Sequence, residues 1–412
     1  MTCKNNPNYI SYIDLIRFFA ASIVVLYHVG FFYCLPGQAL AELMHETISP
    51  HAVFNFGWIG VEIFFVISGF VISYSAARGN ASRFALSRFL RLAPTAWICA
   101  SFSLIIYIFL HQAPIMHLMT AYAATIIFWP FRAIDGVYWT LGVEVSFYAL
   151  IFVLLKTNRL ASLEKIMLGI GLVSLAFWTV FLTLEMVLPH IHMYSAEKAL
   201  LWTHKIIAAR ILQLFLVQHG CFFALGVYIR TCVNRGLPGR QTIAIIALIA
   251  ACVMEIIGQA DLLSRITSTH VGWFIPTVIW SLACAAIVWA SRQAGANVMP
   301  ACITRAVRFS GCLTYPLYLF HTAAILLSIS VLTPIMGTYA IFSSVCVAFL
   351  TAAAIHVYAE PLLHNSVKTA LTSHTEKNFI FYLKHRMSEF AEVFPVLNAM
   401  LRNEKKKQSR QQ

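Results

Sequence analysis

Charge is what this sequence has least of. Of its 412 residues, 11% are Asp, Glu, Lys or Arg and 16 are acidic, where a soluble domain carries about 25% charged residues. That scarcity excludes an ordinary soluble enzyme. Cysteine is present but unpatterned: the ten residues show no Cys-x-x-Cys spacing, and most lie in apolar runs, where a thiol behaves as a small hydrophobe. Neither a disulfide framework nor a zinc site follows, and no metal is expected. No internal repeat is visible, so the inverted-repeat signature of many transporters is missing. No cleaved signal peptide is expected either. A signal's apolar core runs only about 7–15 residues; the first run here, near 10–33, is 24 long and holds Arg17, although Ala39-Leu40-Ala41 mimics a cleavage site.

What is abundant is apolar surface. Hydrophobic residues make up 60% of the chain and the mean hydropathy is +0.76. A hydrocarbon core ~30 Å thick needs roughly 20 apolar residues per helical crossing. Ten stretches qualify, near 10–33, 53–77, 92–111, 137–155, 166–188, 206–229, 241–258, 271–290, 309–330 and 337–358. A weaker one, 112–130, reads as an outer re-entrant or interfacial segment. The expected fold is an all-α integral membrane protein with about ten transmembrane helices.

The net charge of +13 invites a nucleic-acid reading, but its placement refuses it. With a cytoplasmic N-terminus, 23 of the 29 basic residues fall in cytoplasmic segments, four (Arg132, Lys198, Lys205, Arg265) in outer loops, and Arg17 and Arg210 within helices. Short loops alone divide 14 to 4. This positive-inside bias predicts both termini in the cytoplasm and a multi-pass protein of the cell's inner membrane, in contact with lipid and with no nucleic-acid partner. One membrane domain, residues 1–360, precedes a basic cytoplasmic tail, 361–412. The tail's Phe379–Leu383 segment reads equally as an amphipathic helix on the inner leaflet or as part of a disordered tail.

An ionisable group at the bilayer centre costs ~2.5–3.5 kcal/mol even on lenient scales, so it usually faces an interior cavity and has a function. Here those groups are Arg17, His28, Glu62, Glu144, Arg210, His219, His321 and His356, with Asp14, Glu185 and Glu360 near helix ends. Arg17 and His28 are eleven residues apart, close to three full turns, so they share a helix face roughly 16 Å apart along the axis. That suits an anionic donor at the inner face and proton abstraction further out; the bland alternative is a snorkelling arginine and an interfacial histidine. Glu62, in the small-residue run Gly57–Phe70, is a natural partner for a cavity arginine. Arg88 and Arg91 share a helix face and can grip phosphate, though topology alone explains basic residues there. Glu144 could orient a histidine, as the third member of a hydrolytic triad does. Tyr318 and His321 form a polar stripe.

Taken together, these fragments resemble the integral membrane acyltransferase family three, which O-acetylates bacterial O-antigen and other glycans. The match comprises Arg17-x10-His28; the Gly60-Val61-Glu62 run through Ser68 to Phe70; Arg88-x-x-Arg91 with Pro94 and Trp97; Trp139 through Glu144 to Phe147-Tyr148; Tyr315-x-x-Tyr318-Leu-x-His321; and Glu360-Pro361. The resemblance implies a ten-helix fold that uses acyl-coenzyme A, usually acetyl-coenzyme A, from the cytoplasm. It implies that Arg17 and His28 are the catalytic pair and that Arg88 and Arg91 bind the donor. Val145 and Thr314 depart from residues common in the family. Relatives often carry a periplasmic hydrolase-like domain that is not seen here, which leaves acceptor recognition to loops 34–52, 112–136 and 189–205.

The expected reaction is acyl transfer to a hydroxyl of a cell-surface glycan such as O-antigen or exopolysaccharide. His28 is the general base for direct transfer, or alternatively carries a covalent acyl-enzyme; Arg17 guides the thioester with Glu62 or Glu144 orienting it, and Ser68, Tyr315, Tyr318 and His321 support substrate or oxyanion. The alternative is a non-enzymatic transporter or channel for lipid or small solutes.

Overall fold

The computed structural model describes residues 11–35, 54–77, 79–191, 203, 205–207, 209–236, 239–293, 300–363 and 366–367. The Phe379–Leu383 segment and most of the 34–52 loop lie outside them. All regular structure among the described residues is helical, because in lipid a backbone must satisfy its own polar groups. In chain order the helices are α1 (Ser11–Gly30), α2 (Ile59–Ala76), α3 (Ala81–Phe109), α4 (Ile115–Ile126), α5 (Trp139–Lys156), α6 (Leu163–Val187), α7 (Arg210–Leu214), α8 (Gly220–Arg235), α9 (Gly239–Thr267), α10 (Phe274–Arg292), α11 (Ala301–Met336) and α12 (Ala340–Ala354). A π-helical turn, Ile355–Ala359, extends α12.

Among the described residues nine helices are long and apolar enough to cross a membrane. The expected crossing at 206–229 is the exception. It is broken: Leu216 adopts a left-handed φ of 61°, and the chain turns before restarting as α8. The restarted helix is nonetheless core, with Cys221 through Val227 buried. Helix α4 has 12 residues, about 18 Å at 1.5 Å per residue, too short to cross, in keeping with an interfacial segment. The Arg88-x-x-Arg91 motif lies within α3, ahead of the apolar run expected at 92–111. Asn80 caps α3 by accepting from the Arg83 amide at 2.8 Å, so the helix starts about three turns before the apolar run and continues through Pro94.

Small residues set how closely the central helices approach. A Cβ on Gly60 would sit 2.3 Å from the Ala20 carbonyl oxygen, which locks α2 onto α1. A Cβ on Gly226 would meet the Val66 oxygen at 2.1 Å, and one on Gly69 the Phe223 oxygen at 2.2 Å, so α8 and α2 touch backbone to backbone. Helix α1 also lies against α11. The helix bearing Arg17 and His28 is therefore walled by the two helices that carry Ser68 and His321.

Candidate active site

Two polar centres lie along α1. At the Arg17 end a cleft with a free volume of about 90 Å³ is lined by Arg17, Ser68, Arg91, Glu144, Tyr315 and Tyr318, with Phe64 and Phe65 on its apolar wall. Arg17 hydrogen-bonds Asp14 at 3.3 Å. Arg88 stands just behind, its guanidinium over the rings of Phe84 and Tyr148 at 5.7 and 6.0 Å. Glu144 accepts hydrogen bonds from Ser68 (3.1 Å) and from Tyr148. Three guanidiniums against two carboxylates, Asp14 and Glu144, leave this end net cationic, as a phosphate-bearing ligand requires.

At the other end His28, in the last turn of α1, meets His321 of α11. Their facing nitrogens, His28 Nδ1 and His321 Nε2, are 3.2 Å apart. The tautomers follow from the acceptors around them. His321 Nδ1 faces the carbonyl oxygens of Leu317 (3.1 Å) and Tyr318 (2.9 Å), so it carries the proton and its Nε2 is a lone pair. His28 Nδ1 then faces two acceptors, that lone pair and the Val24 carbonyl at 2.9 Å, so it too is N–H. His28 Nε2 is left with a free lone pair, the form a general base needs. Tyr27, Phe32 and Tyr33 pack around the ring, at 5.2, 5.9 and 5.3 Å between centroids.

A buried acid completes this end. Asp135, 6% exposed, accepts from Tyr107 (2.6 Å) and from the Val137 amide (3.1 Å). The Thr322 hydroxyl, which accepts from Tyr33 at 3.3 Å, also reaches it. Asp135 lies in the loop before α5, and burial holds its carboxyl above the usual carboxylate range. On its far side is a second cleft, of about 110 Å³, bordered by Trp129, Phe131, Arg132, Trp139 and Arg210.

The two ends are joined. Tyr318 lines the Arg17 cleft, hydrogen-bonds Thr140 at 3.0 Å, and lies 6.2 Å from the His321 ring.

The structure brings together Arg17, Ser68, Arg91, Glu144, Tyr315 and Tyr318 at one end and His28 with His321 at the other. Three placements differ from the sequence reading. Glu62 does not line the cleft or meet Arg17; it points to the opposite side of α2, with His219 Nδ1 3.5 Å away. Glu144 orients no histidine, since its carboxylate holds a serine and a tyrosine, and the histidine that could be oriented has His321 instead. Tyr315 already donates its proton to the Leu92 carbonyl (3.2 Å), which makes it a strut between α11 and α3. Asp135 was missed. Its signal was an acid between apolar segments four residues before Trp139, outside any helical periodicity. Glu255, an acid within the apolar 241–258 run, was missed as well.

A family model described as an acyltransferase domain matches residues 10–357. The chain belongs to acyltransferase family 3. It is a multi-pass membrane acyltransferase, and the transporter alternative falls with that membership. Both polar centres lie inside the matched acyltransferase segment, as do all the helices through α12. Neither the curated proteins nor the solved structures gave a match.

Proposed function

We propose that this acyltransferase moves an acyl group, acetyl by preference, from cytoplasmic acyl-coenzyme A to a hydroxyl of a cell-surface glycan such as O-antigen or exopolysaccharide, in the cell's inner membrane with both termini inside. The observation that carries the reading is the line of polar groups along α1. A cationic cleft at Arg17 connects through Tyr318 to a histidine whose Nε2 lone pair is unused.

In this reading Arg91 and Arg88 hold the donor's phosphates and Arg17 guides its thioester end past Phe64 and Phe65. The acceptor approaches from the Asp135 side, where Trp129, Phe131 and Trp139 offer flat faces for sugar rings and Arg132 and Arg210 offer hydrogen-bond donors. His28 Nε2 takes the proton of the acceptor hydroxyl as its oxygen attacks the thioester carbonyl. The cationic imidazole that forms is held through Nδ1–H by Val24 and His321, and it returns the proton to the departing thiol. His321 is then a positioning residue, and Tyr318 the side chain the acyl group must pass.

The test uses the full chain purified in detergent, given radiolabelled acetyl-coenzyme A and a lipid-linked oligosaccharide. Free thiol should be released in step with label appearing in the glycan. Transfer supported by another activated acyl group, with no thiol released from acetyl- or longer acyl-coenzyme A, would overturn the donor assignment.

A further inference from the structure

A second buried cluster lies behind the cleft wall and plays no part in the chemistry above. Glu62 on α2, His219 at the start of α8 and Glu255 on α9 are 3%, 1% and 0% exposed. One atom from each, two carboxylate oxygens and a ring nitrogen, lie within 4.8 Å of one another. His219 Nδ1 stands 3.0 Å from Glu255 Oε1 and 3.5 Å from Glu62 Oε1. Neither approach has hydrogen-bond geometry: both ring nitrogens, both Glu255 oxygens and Glu62 Oε2 are buried without a hydrogen bond among the described residues. Gln259, one turn further along α9, approaches Glu255 as a fourth polar group.

We propose that Glu62, His219 and Glu255 bind a divalent transition-metal ion of the zinc and manganese class, clamping α2, α8 and α9 together. Three arguments converge. The first is charge: two carboxylates facing one imidazole, all shut away from water, carry two negative charges that one divalent ion balances. The second is valence, because a single Nδ1–H can serve one of two facing carboxylates, whereas an ion among the three is shared by the imidazole Nδ1 and an oxygen of each carboxylate. The third is size. Nitrogen and oxygen ligands at ~2.0–2.2 Å stand ~3.4 Å apart around a tetrahedral ion; the His219 distances of 3.0 and 3.5 Å already match that, and the widest pair, within 4.8 Å, need close by a little over ~1 Å. One nitrogen with two oxygens selects zinc or manganese over the softer ions that want thiolate and over calcium and magnesium, which want oxygen alone.

The imidazole is already fixed for this task. Phe65 and Trp139 pack on it at 5.6 and 5.2 Å between centroids, which restricts the tilt of the ring. Both aromatics also border the functional clefts, Phe65 the Arg17 cleft and Trp139 both the Asp135 cleft and His219. The clamp therefore braces the walls of the acyl-transfer path from behind. Ligands from residues 62, 219 and 255 share no short spacing, which is why no metal motif is visible in the sequence.

Metal content decides it. The full chain, purified in detergent without a metal resin, is stripped with a chelator, incubated with ZnCl₂ or MnCl₂, passed through gel filtration and assayed by inductively coupled plasma mass spectrometry. About one ion per chain should be retained, with a rise in melting temperature over the stripped protein. Glu62→Gln and Glu255→Gln keep the shape of the site and should weaken retention by ~100-fold or more, while His190→Ala, on an exposed turn, retains the ion. A folded wild type that holds neither ion would overturn the proposal and assign the balancing charge to two protons. Full retention in both Gln variants would overturn it too, by placing the ion elsewhere.

Discussion

The histidine pair makes the most specific demand on experiment. If His28 Nε2 is the base, His28→Ala should reduce kcat by ~10²–10⁴-fold, the usual worth of a positioned base. His321 contributes differently. It never meets the acceptor proton; its Nε2 accepts from His28 Nδ1–H at 3.2 Å. That bond is weak while His28 is neutral and charge-assisted once His28 carries the acceptor's proton. A hydrogen bond to a charged group is worth ~1.5–3 kcal/mol, and 1.36 kcal/mol is tenfold in rate. His321→Ala should therefore cost ~10–150-fold in kcat, with the Val24 carbonyl still fixing the tautomer, and leave the donor KM nearly unchanged.

The double variant sharpens the claim. Without His28 there is no imidazolium for His321 to stabilise, so His28→Ala/His321→Ala should be no slower than His28→Ala alone, as expected for residues that act as a unit. The assay is thiol release from acetyl-coenzyme A in the presence of acceptor, with melting temperature in detergent recorded for each variant. His190→Ala, on an exposed turn, is the control. Multiplicative losses in the double variant, or a His321→Ala defect confined to KM, would refute the reasoning.

Arg91 lines the cleft and Arg88 stands behind it, so Arg91→Ala should raise the donor KM by ~10-fold or more and Arg88→Ala by less, both with kcat nearly unchanged; unaltered KM in both would reduce the motif to a topology signal. Asp135→Asn keeps the Val137 bond but removes the charge near His28, and should lower kcat by ~10-fold, read in the same thiol assay. Gly226→Ala forces a methyl against the Val66 backbone and should cost at least about 3 kcal/mol of stability. Gly169→Ala, with nothing within 4 Å, should be neutral or gain up to about 1 kcal/mol; equal melting temperatures would sink the packing argument. Single cysteines introduced in the 189–205 loop should react with an impermeant thiol reagent from outside, and those at 231–236 should not.

Most of the fold was legible because lipid imposes it: each crossing needs an unbroken apolar run, and nine runs became nine long helices. The tenth was misread for a local reason. Hydropathy averages over 206–229, whereas the break at Leu216 is a single backbone angle that leaves apolar content untouched. The start of α3 was misplaced because an Asn cap, not apolarity, begins that helix. At the site, Arg17 and His28 were legible as a pair because eleven residues return to one helix face. The partner of His28 was not, since His321 lies 293 residues away and only packing of α1 on α11 brings them together. The acids were the poorest guide. Sequence places Glu62 and Glu144 in apolar helices but cannot say which side of the helix each faces, and the two face different partners.

That distribution of acids bears on why the base is paired with a second histidine. A carboxylate bonded directly to His28 would be a buried ion pair in waiting: it would favour the imidazolium at rest and occupy the base before an acceptor arrived. Two neutral imidazoles are cheaper to desolvate than two charges, and their tautomers leave Nε2 of His28 open. The acids near this centre are accordingly engaged elsewhere. Glu144 is held by Ser68 and Tyr148 at the opposite end of the cleft, and Asp135 by Tyr107 and the Val137 amide. Asp135 stands near this centre, across Tyr33 and Thr322, without bonding to the ring, and a carboxylate there attracts a cationic imidazole. Its attraction grows as the acceptor's proton is transferred, when a positive charge develops on the imidazole. An acid so placed acts on the transition state more than on the resting enzyme, which is the condition for it to raise kcat.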